Sequence, residues 1–212
     1  MSTGSAGPHA GEHRKVVLLR GINVGKSNRI AMPDLVACTE AAGGTSVTTV
    51  LATGNVLVTD PRPVTGLRAA LESAYAERFD YTAVVQVLTL DAVATVVAAY
   101  PFDALPEHHD YVVFSDDPEV TTRVTVAMRA AIREVGEAAA GADAHAGAGP
   151  ATDSETTVST EAVAEGAGCV YWRVPRGSTL TSDAYKVLDG RENKRHLTTR
   201  NLRTLDRILA AG

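Results

Sequence analysis

The stretch KVVLLRGINVGKSNRIAMPDL, Lys15 to Leu35, decides how the chain is read. Its first six residues, Lys15 to Arg20, form a nearly unbroken apolar run of strand length, as in a strand buried on both faces. A glycine-bearing loop follows to Met32, and Pro33 then suits the first position of a helix. Leu35, Cys38 and Ala42 share one face of that helix, and Gly43 with Gly44 ends it. A central strand, a loop and a helix are the opening of a larger repeating unit.

Working outward, Val47 to Leu51 and Asn55 to Thr59 read as short strands joined by Ala52, Thr53 and Gly54, a hairpin. Beyond the turn at Asp60 to Pro63, Leu67, Leu71, Ala74, Tyr75 and Phe79 keep helical spacing, and Tyr81 to Leu88 returns to a strand pattern. Residues 15–89 therefore spell βαββαβ, the ferredoxin-like order of an antiparallel sheet with both helices on one face. Residues 90–108 form a connecting helix and loop, with Val93, Val96, Val97 and Tyr100 on one side and Pro101 closing it. The order then repeats over 109–212: a strand at Tyr111–Ser115, a helix capped by Asp117, strands at Thr156–Val163 and Cys169–Val174, a short helix near Ser182–Leu188, and an extended piece at His196–Thr198. The last helix is expected over Asn201–Ala211. The predicted fold is α+β, two tandem ferredoxin-like (βαββαβ) units with antiparallel sheets and a C-terminal helix. Residues 1–14 read as a disordered leader, and 137–154, dominated by Ala and Gly, as a flexible insertion in the second unit.

Composition narrows the function classes. A chain of 212 residues with 45% hydrophobic and 21% charged residues buries a real core. No apolar run approaches the length needed to cross a bilayer, and the N-terminus lacks a basic segment followed by an apolar one. Cys38 and Cys169 form no Cys-x-x-Cys pair, so neither a disulfide framework nor a zinc cluster is indicated; no metal or cofactor is expected, and a reducing cytoplasm fits. A net charge of −5 argues against bulk binding to nucleic acid, which needs a positive surface. Within Ala184–Gly212, however, seven basic residues face three acidic ones, making that segment either a solvated helix face or an anion-binding edge.

The string LLRGINVGKSNRIAMPDL at Leu18–Leu35, TGNV at Thr53–Val56 and TTRNLRTL at Thr198–Leu205 resemble the bacterial domain of unknown function 1697 family. The resemblance covers nearly the whole chain from Lys15 onward. The family's pattern has glycine where Lys26 stands, serine where Thr53 stands and an aromatic residue where Leu202 stands. It implies the same two-unit fold and brings no substrate, since none is assigned.

One loop invites a chemical reading. Gly21, Gly25, Lys26 and Ser27 after an apolar strand resemble a phosphate-binding P-loop, but only three residues separate the glycines and no helix starts at the lysine. A weaker anion loop is compatible with Arg20, Asn23 and Lys26. Thr199, Arg200 and Asn201 read as a helix start, where N–H groups and the dipole favour negative charge. The resulting hypothesis puts Arg20, Asn23, Lys26, Thr53, Asn55, Thr199, Arg200 and Asn201 around a small anionic or phosphorylated ligand in a cleft between the units. The competing structural reading has Asn23 and Asn55 satisfying turn backbones, Thr199 capping a helix, and Arg20 or Arg200 pairing with a buried carboxylate across the domain interface. No catalytic residues stand out: Cys38 is core, and Glu107, His108, His109 and Asp110 alternate sides in an extended segment. The alternative classes are RNA or single-stranded nucleic-acid binding, for which aromatic residues at 5% provide few stacking platforms, and a protein-interaction module.

Overall fold

The computed structural model describes residues 13–23, 29–80, 82, 84–143 and 161–212, with only the backbone over 135–143. Across these residues it holds eight strands and six helices in two compact units, Met1–Ala99 with Leu202–Gly212, and Tyr100–Asn201. None of these helices is long and apolar enough to cross a membrane.

In the first unit the apolar run becomes β1 (Arg14–Leu19), followed by α1 (Met32–Ala41), β2 (Thr45–Thr49), β3 (Asn55–Thr59), α2 (Val64–Phe79), β4 (Val85–Thr89) and α3 (Leu90–Ala98). β1 pairs antiparallel with both β3 and β4, giving the order β2-β3-β1-β4. That central place explains its sequence. Val17 and Leu19 pack with Val56, Val58, Leu35, Leu67, Leu71 and Tyr75 beneath α1 and α2, while Val16, Leu18 and Leu57, of opposite parity, are also fully buried. On this second side α3 lies against β1 and β4 and packs on α6 (Leu202–Ala211). Gly212 ends so close to the sheet that an added Cβ would stand 2.7 Å from Leu90 and 3.3 Å from Leu57. The first sheet is therefore covered on both faces.

The second unit runs β5 (His108–Ser115), α4 (Pro118–Asp143), β6 (Ala162–Gly166), β7 (Cys169–Pro175), α5 (Asp183–Asp189) and β8 (Leu197–Asn201). Its sheet order, β6-β7-β5-β8, is the first order with every number raised by four, and all pairs are antiparallel. Val113, Val170, Trp172 and Val174 pack against Val120, Val124 and Met128 of α4 and Ala184 and Leu188 of α5. On the other face Asp110 accepts from Arg173 Nε (2.9 Å) and from the Tyr100 hydroxyl (2.5 Å), and Arg173 stacks over Phe102. Burial, reinforced by Asp110, pushes the Tyr100 phenol well above its ordinary range.

Several sequence expectations need correction. Thr199, Arg200 and Asn201 do not open a helix: they lie in β8, paired with β5, and α6 starts at Leu202. α6 groups with the first unit, although the sequence reading gave it to the second, and α3, read from sequence as a connecting helix, groups with the first unit as well. α4 continues to Asp143, so the front of the expected insertion 137–154 is helical, because alanine is the strongest helix former; residues 144–154 lie outside the described residues. β1 takes in Arg14, and His13 O accepts from Asp60 N, so the expected leader ends earlier; residues 1–12 lie outside the described residues. β2 begins two residues before its expected start, and the expected strand over Tyr81–Leu88 is β4 from Val85, with Tyr81 and Ala83 outside the described residues. The strand expected at Thr156–Val163 is β6 from Ala162, with 156–160 outside the described residues.

Candidate functional site

Of the residues singled out in the first unit, Arg20, Asn23, Thr53 and Asn55 gather at one end of its sheet, where β1 runs out. Leu19 N donates to Gly54 O (2.8 Å) and Arg20 N to Val84 O (3.0 Å), which ties the strand end to the β2–β3 connection and to the entry of β4. Ile22, 1% exposed, is an anchor in the core beneath Gly54. The Asn23 carboxamide then makes three bonds: Nδ2 donates to Ile30 O and to Ala52 O, and Oδ1 accepts from Ile30 N, each 2.9 Å. Asn23 thus clasps the two stems of the loop and holds both against the hairpin. Its φ of 55° is left-handed, which asparagine tolerates better than most residues.

The hairpin is shaped by the same constraint. Leu51 holds a left-handed φ of 60°, an uncommon conformation for an aliphatic residue, and is 43% exposed. Gly54 has φ 76°, and a Cβ there would come within 2.9 Å of Ile22, so only glycine fits. Asn55 Nδ2 donates to Val50 O (2.8 Å) and Thr53 Oγ1 (3.1 Å), so Asn55 satisfies the turn. Thr53 is exposed, Arg20 half-buried, and Arg29, just before the clasped Ile30, exposed. Lys26 lies outside the described residues.

The other three candidates lie in the second unit. Arg200, 9% exposed, donates through Nη1 to Thr198 Oγ1 (2.9 Å) and Thr199 O (2.8 Å), and burial pulls its guanidinium down to about 10. Thr199 and Asn201 are half-buried members of β8. Asn23 and Asn55 bond to neighbouring backbone as the structural reading has it, whereas the bonds of Arg200 given above go to Thr198 and Thr199 and not to the carboxylate that reading named. Arg20, Thr53 and Arg29 are the other polar side chains of this end of the sheet, and Thr53 Oγ1 already accepts from Asn55. Sequence reasoning missed Arg29; the available signal was that residues 20–33 carry three basic side chains and no acid. It also missed Glu161, whose Oε1 accepts from Trp172 Nε1 (2.8 Å) and Ser182 Oγ (2.6 Å), linking β7 to the cap of α5.

Other chemistry is poorly served. Burial raises the Cys38 thiol and pushes Cys169 up to about 11, so both are protonated near neutrality and neither is an activated nucleophile. His108 and His109 sit opposite Pro175 and Val174 and point to opposite faces of β5. Among the described residues no three His, Cys, Asp or Glu side chains converge as metal ligands would. A groove of about 650 Å³ between α1 and α2 is walled by Ala37, Cys38, Ala41 and Ala74, and with Asp34 and Glu77 against Arg78 its rim is a poor match for an anion.

Comparison with known proteins gives a family and a fold. The family model described as "Protein of unknown function (DUF1697)" matches residues 13–144. No curated protein matches the chain. Among solved structures, the chain is similar to the conserved bacterial protein SP0830 from Streptococcus pneumoniae, with a TM-score of 0.61 at 21% identity, over 93% of this chain and 97% of that one. At that identity the likeness speaks for the fold alone.

Proposed function

The chain belongs to the DUF1697 family, and from that premise we propose that it binds a small anionic or phosphorylated molecule at the end of its first sheet. The observation that carries this reading is the Asn23 clasp. It holds a loop with Arg20 before it, Lys26 within it and Arg29 at its return against a hairpin strained at Leu51. Backbone strain of order 1–3 kcal/mol per residue persists where the surroundings over-determine it, and such residues cluster at ligand sites. Gly21 and Asn23, on either side of Ile22, both hold a left-handed φ, an uncommon backbone run of the kind found beside ligands. Arg20 and Lys26 supply charge, Thr53 a hydroxyl, and Asn23 and Asn55 the framework. Each sheet is read as a ferredoxin-like unit and the pair as a tandem duplication, on the matching strand orders.

The nucleic-acid alternative is less well supported. RNA-binding sheets of this kind stack bases on exposed aromatics of an open face. Here the first sheet is covered on both faces, and Phe114, Tyr171 and Trp172 of the second are at most 3% exposed. The test is isothermal titration of the full chain with nucleotides and sugar phosphates, beside Arg20→Ala and Lys26→Ala. Saturable binding that either variant weakens supports the site; absence of heat at millimolar ligand discards it. A co-purified metabolite seen by native mass spectrometry would name the ligand class directly.

A further inference from the structure

The turn between α5 and β8 carries a second feature unrelated to the loop after β1. A shallow dish of about 530 Å³ is lined by Gly190, Arg191, Glu192 and Arg195. Its floor is rigid for visible reasons. Asn193, 6% exposed, donates through Nδ2 to Val187 O (2.9 Å) and accepts on Oδ1 from Arg123 Nη2 (3.0 Å), while Asn193 N and Lys194 N both donate to Gly190 O (3.0 Å each). Arg195 is held in turn: its Nε donates to His196 Nε2 (2.8 Å), and His196 Nδ1 meets Asp116 Oδ1 at 3.0 Å. An imidazole nitrogen accepts only when it carries no proton, so the ring hydrogen sits on Nδ1 and is donated to Asp116. Asp116, His196 and Arg195 therefore form a chain that grips the guanidinium by its Nε edge. The part of it presented to a ligand is the pair of terminal nitrogens, the fork that matches two oxygens of a phosphoryl group.

We propose that this dish is a phosphate-monoester site of the second unit, with Arg191 and Arg195 as its ligand-binding groups and His196 as the residue that positions Arg195. Two guanidinium groups against the single carboxylate of Glu192 leave the dish cationic, and Lys194 adds to the local field. Side-chain ordering is an entropic cost that a ligand ordinarily has to meet on binding, and the Asp116–His196 chain has met it beforehand for Arg195.

The test follows the arginine Nε–H and backbone amide resonances of the full chain by NMR while inorganic phosphate, and then phenyl phosphate, is added at constant ionic strength. The expected result is that Arg191, Arg195 and the amides of residues 190–196 shift together with one dissociation constant. Arg195→Ala should raise that constant roughly tenfold or more, the loss expected for charge-assisted bonds. His196→Ala, which leaves both arginines in place, should raise it severalfold, a change that a bystander histidine would not produce. Because assigned resonances report each location separately, a failure here is distinguishable from a failure of the site beside Arg20. The proposal is overturned if these resonances do not saturate by ~20 mM phosphate, a concentration set well above useful metabolite affinities. It is equally overturned if Arg195→Ala binds as wild type does, or if single-stranded RNA shifts the same resonances far more strongly than phenyl phosphate.

Discussion

Replacing Asn23 by alanine removes the clasp, and its cost can be built up bond by bond. Three hydrogen bonds disappear. The two to Ile30 are half-buried and each contributes about 1 kcal/mol, whereas the bond to Ala52 is exposed and contributes about half that. Alanine must also hold the left-handed φ of 55°, which adds a further ~1 kcal/mol. The sum is about 3.5 kcal/mol, large against the 5–15 kcal/mol of a typical domain. Asn23→Gly loses the same bonds but not the conformational freedom, so it should fall about 1 kcal/mol short of the alanine variant. Urea unfolding followed by circular dichroism measures both. The chain's only tryptophan, Trp172, lies in the second unit, so its fluorescence reports whether that unit unfolds separately. Should Asn23→Ala cost less than ~1 kcal/mol, the clasp as described does not hold the loop. Should glycine and alanine prove equal, the left-handed conformation carries no penalty and that step of the reasoning fails.

Gly54→Ala should destabilise the first unit by about 2–4 kcal/mol, combining a left-handed alanine with a methyl 2.9 Å from Ile22, and should weaken any ligand bound beside Arg20; thermal melts and titration check both. The Asp60 carboxyl is held below its usual range first by its hydrogen bond from Arg62, against the opposing effect of burial. A depressed folded value means that its contribution is fully present above the unfolded value near 4 and is lost as pH falls through the lower folded one. The stability gap between wild type and Asp60→Asn should therefore shrink below about pH 4, and a gap that stays constant down to pH 2 would contradict the assignment. Asp110→Ala leaves Arg173, 5% exposed, without its carboxylate and should cost about 3–5 kcal/mol by Trp172 fluorescence in urea, with Asp110→Asn retaining an acceptor for Tyr100 and costing less.

What the sequence disclosed and what it concealed follow from range. β1, α1 and the hairpin were legible because their signals are local: a run apolar on both faces, a proline and two glycines at helix ends, a connection too short for anything but antiparallel strands. The start of β8 was expected as an extended piece, but its end was misread because Thr-Arg-Asn before an amphipathic stretch has the composition of a helix start. What makes it a strand is pairing with β5, more than eighty residues earlier in the chain. The same distance hid Arg200, whose burial depends on the sheet it joins. At the candidate site, the turn-forming roles of Asn23 and Asn55 could be expected from the residue type, but the bonds from Asn23 to Ile30 and Ala52 could not, since they depend on where a loop returns. Arg29 escaped notice because it stands one residue from a clasp that no local pattern announces.

The position of α6 has a consequence for how the protein is made. On a ribosome, the first sheet emerges with β1 to β4 and α3 in hand, yet the helix that packs on α3 follows only after the entire second unit has been synthesised. Until then part of the flank holding Val16, Leu18 and Leu57 waits for its cover, while Tyr100–Asn201 is already complete enough to fold. The first unit therefore lacks one of its own helices until Leu202–Ala211 has been made, after the whole of the second unit.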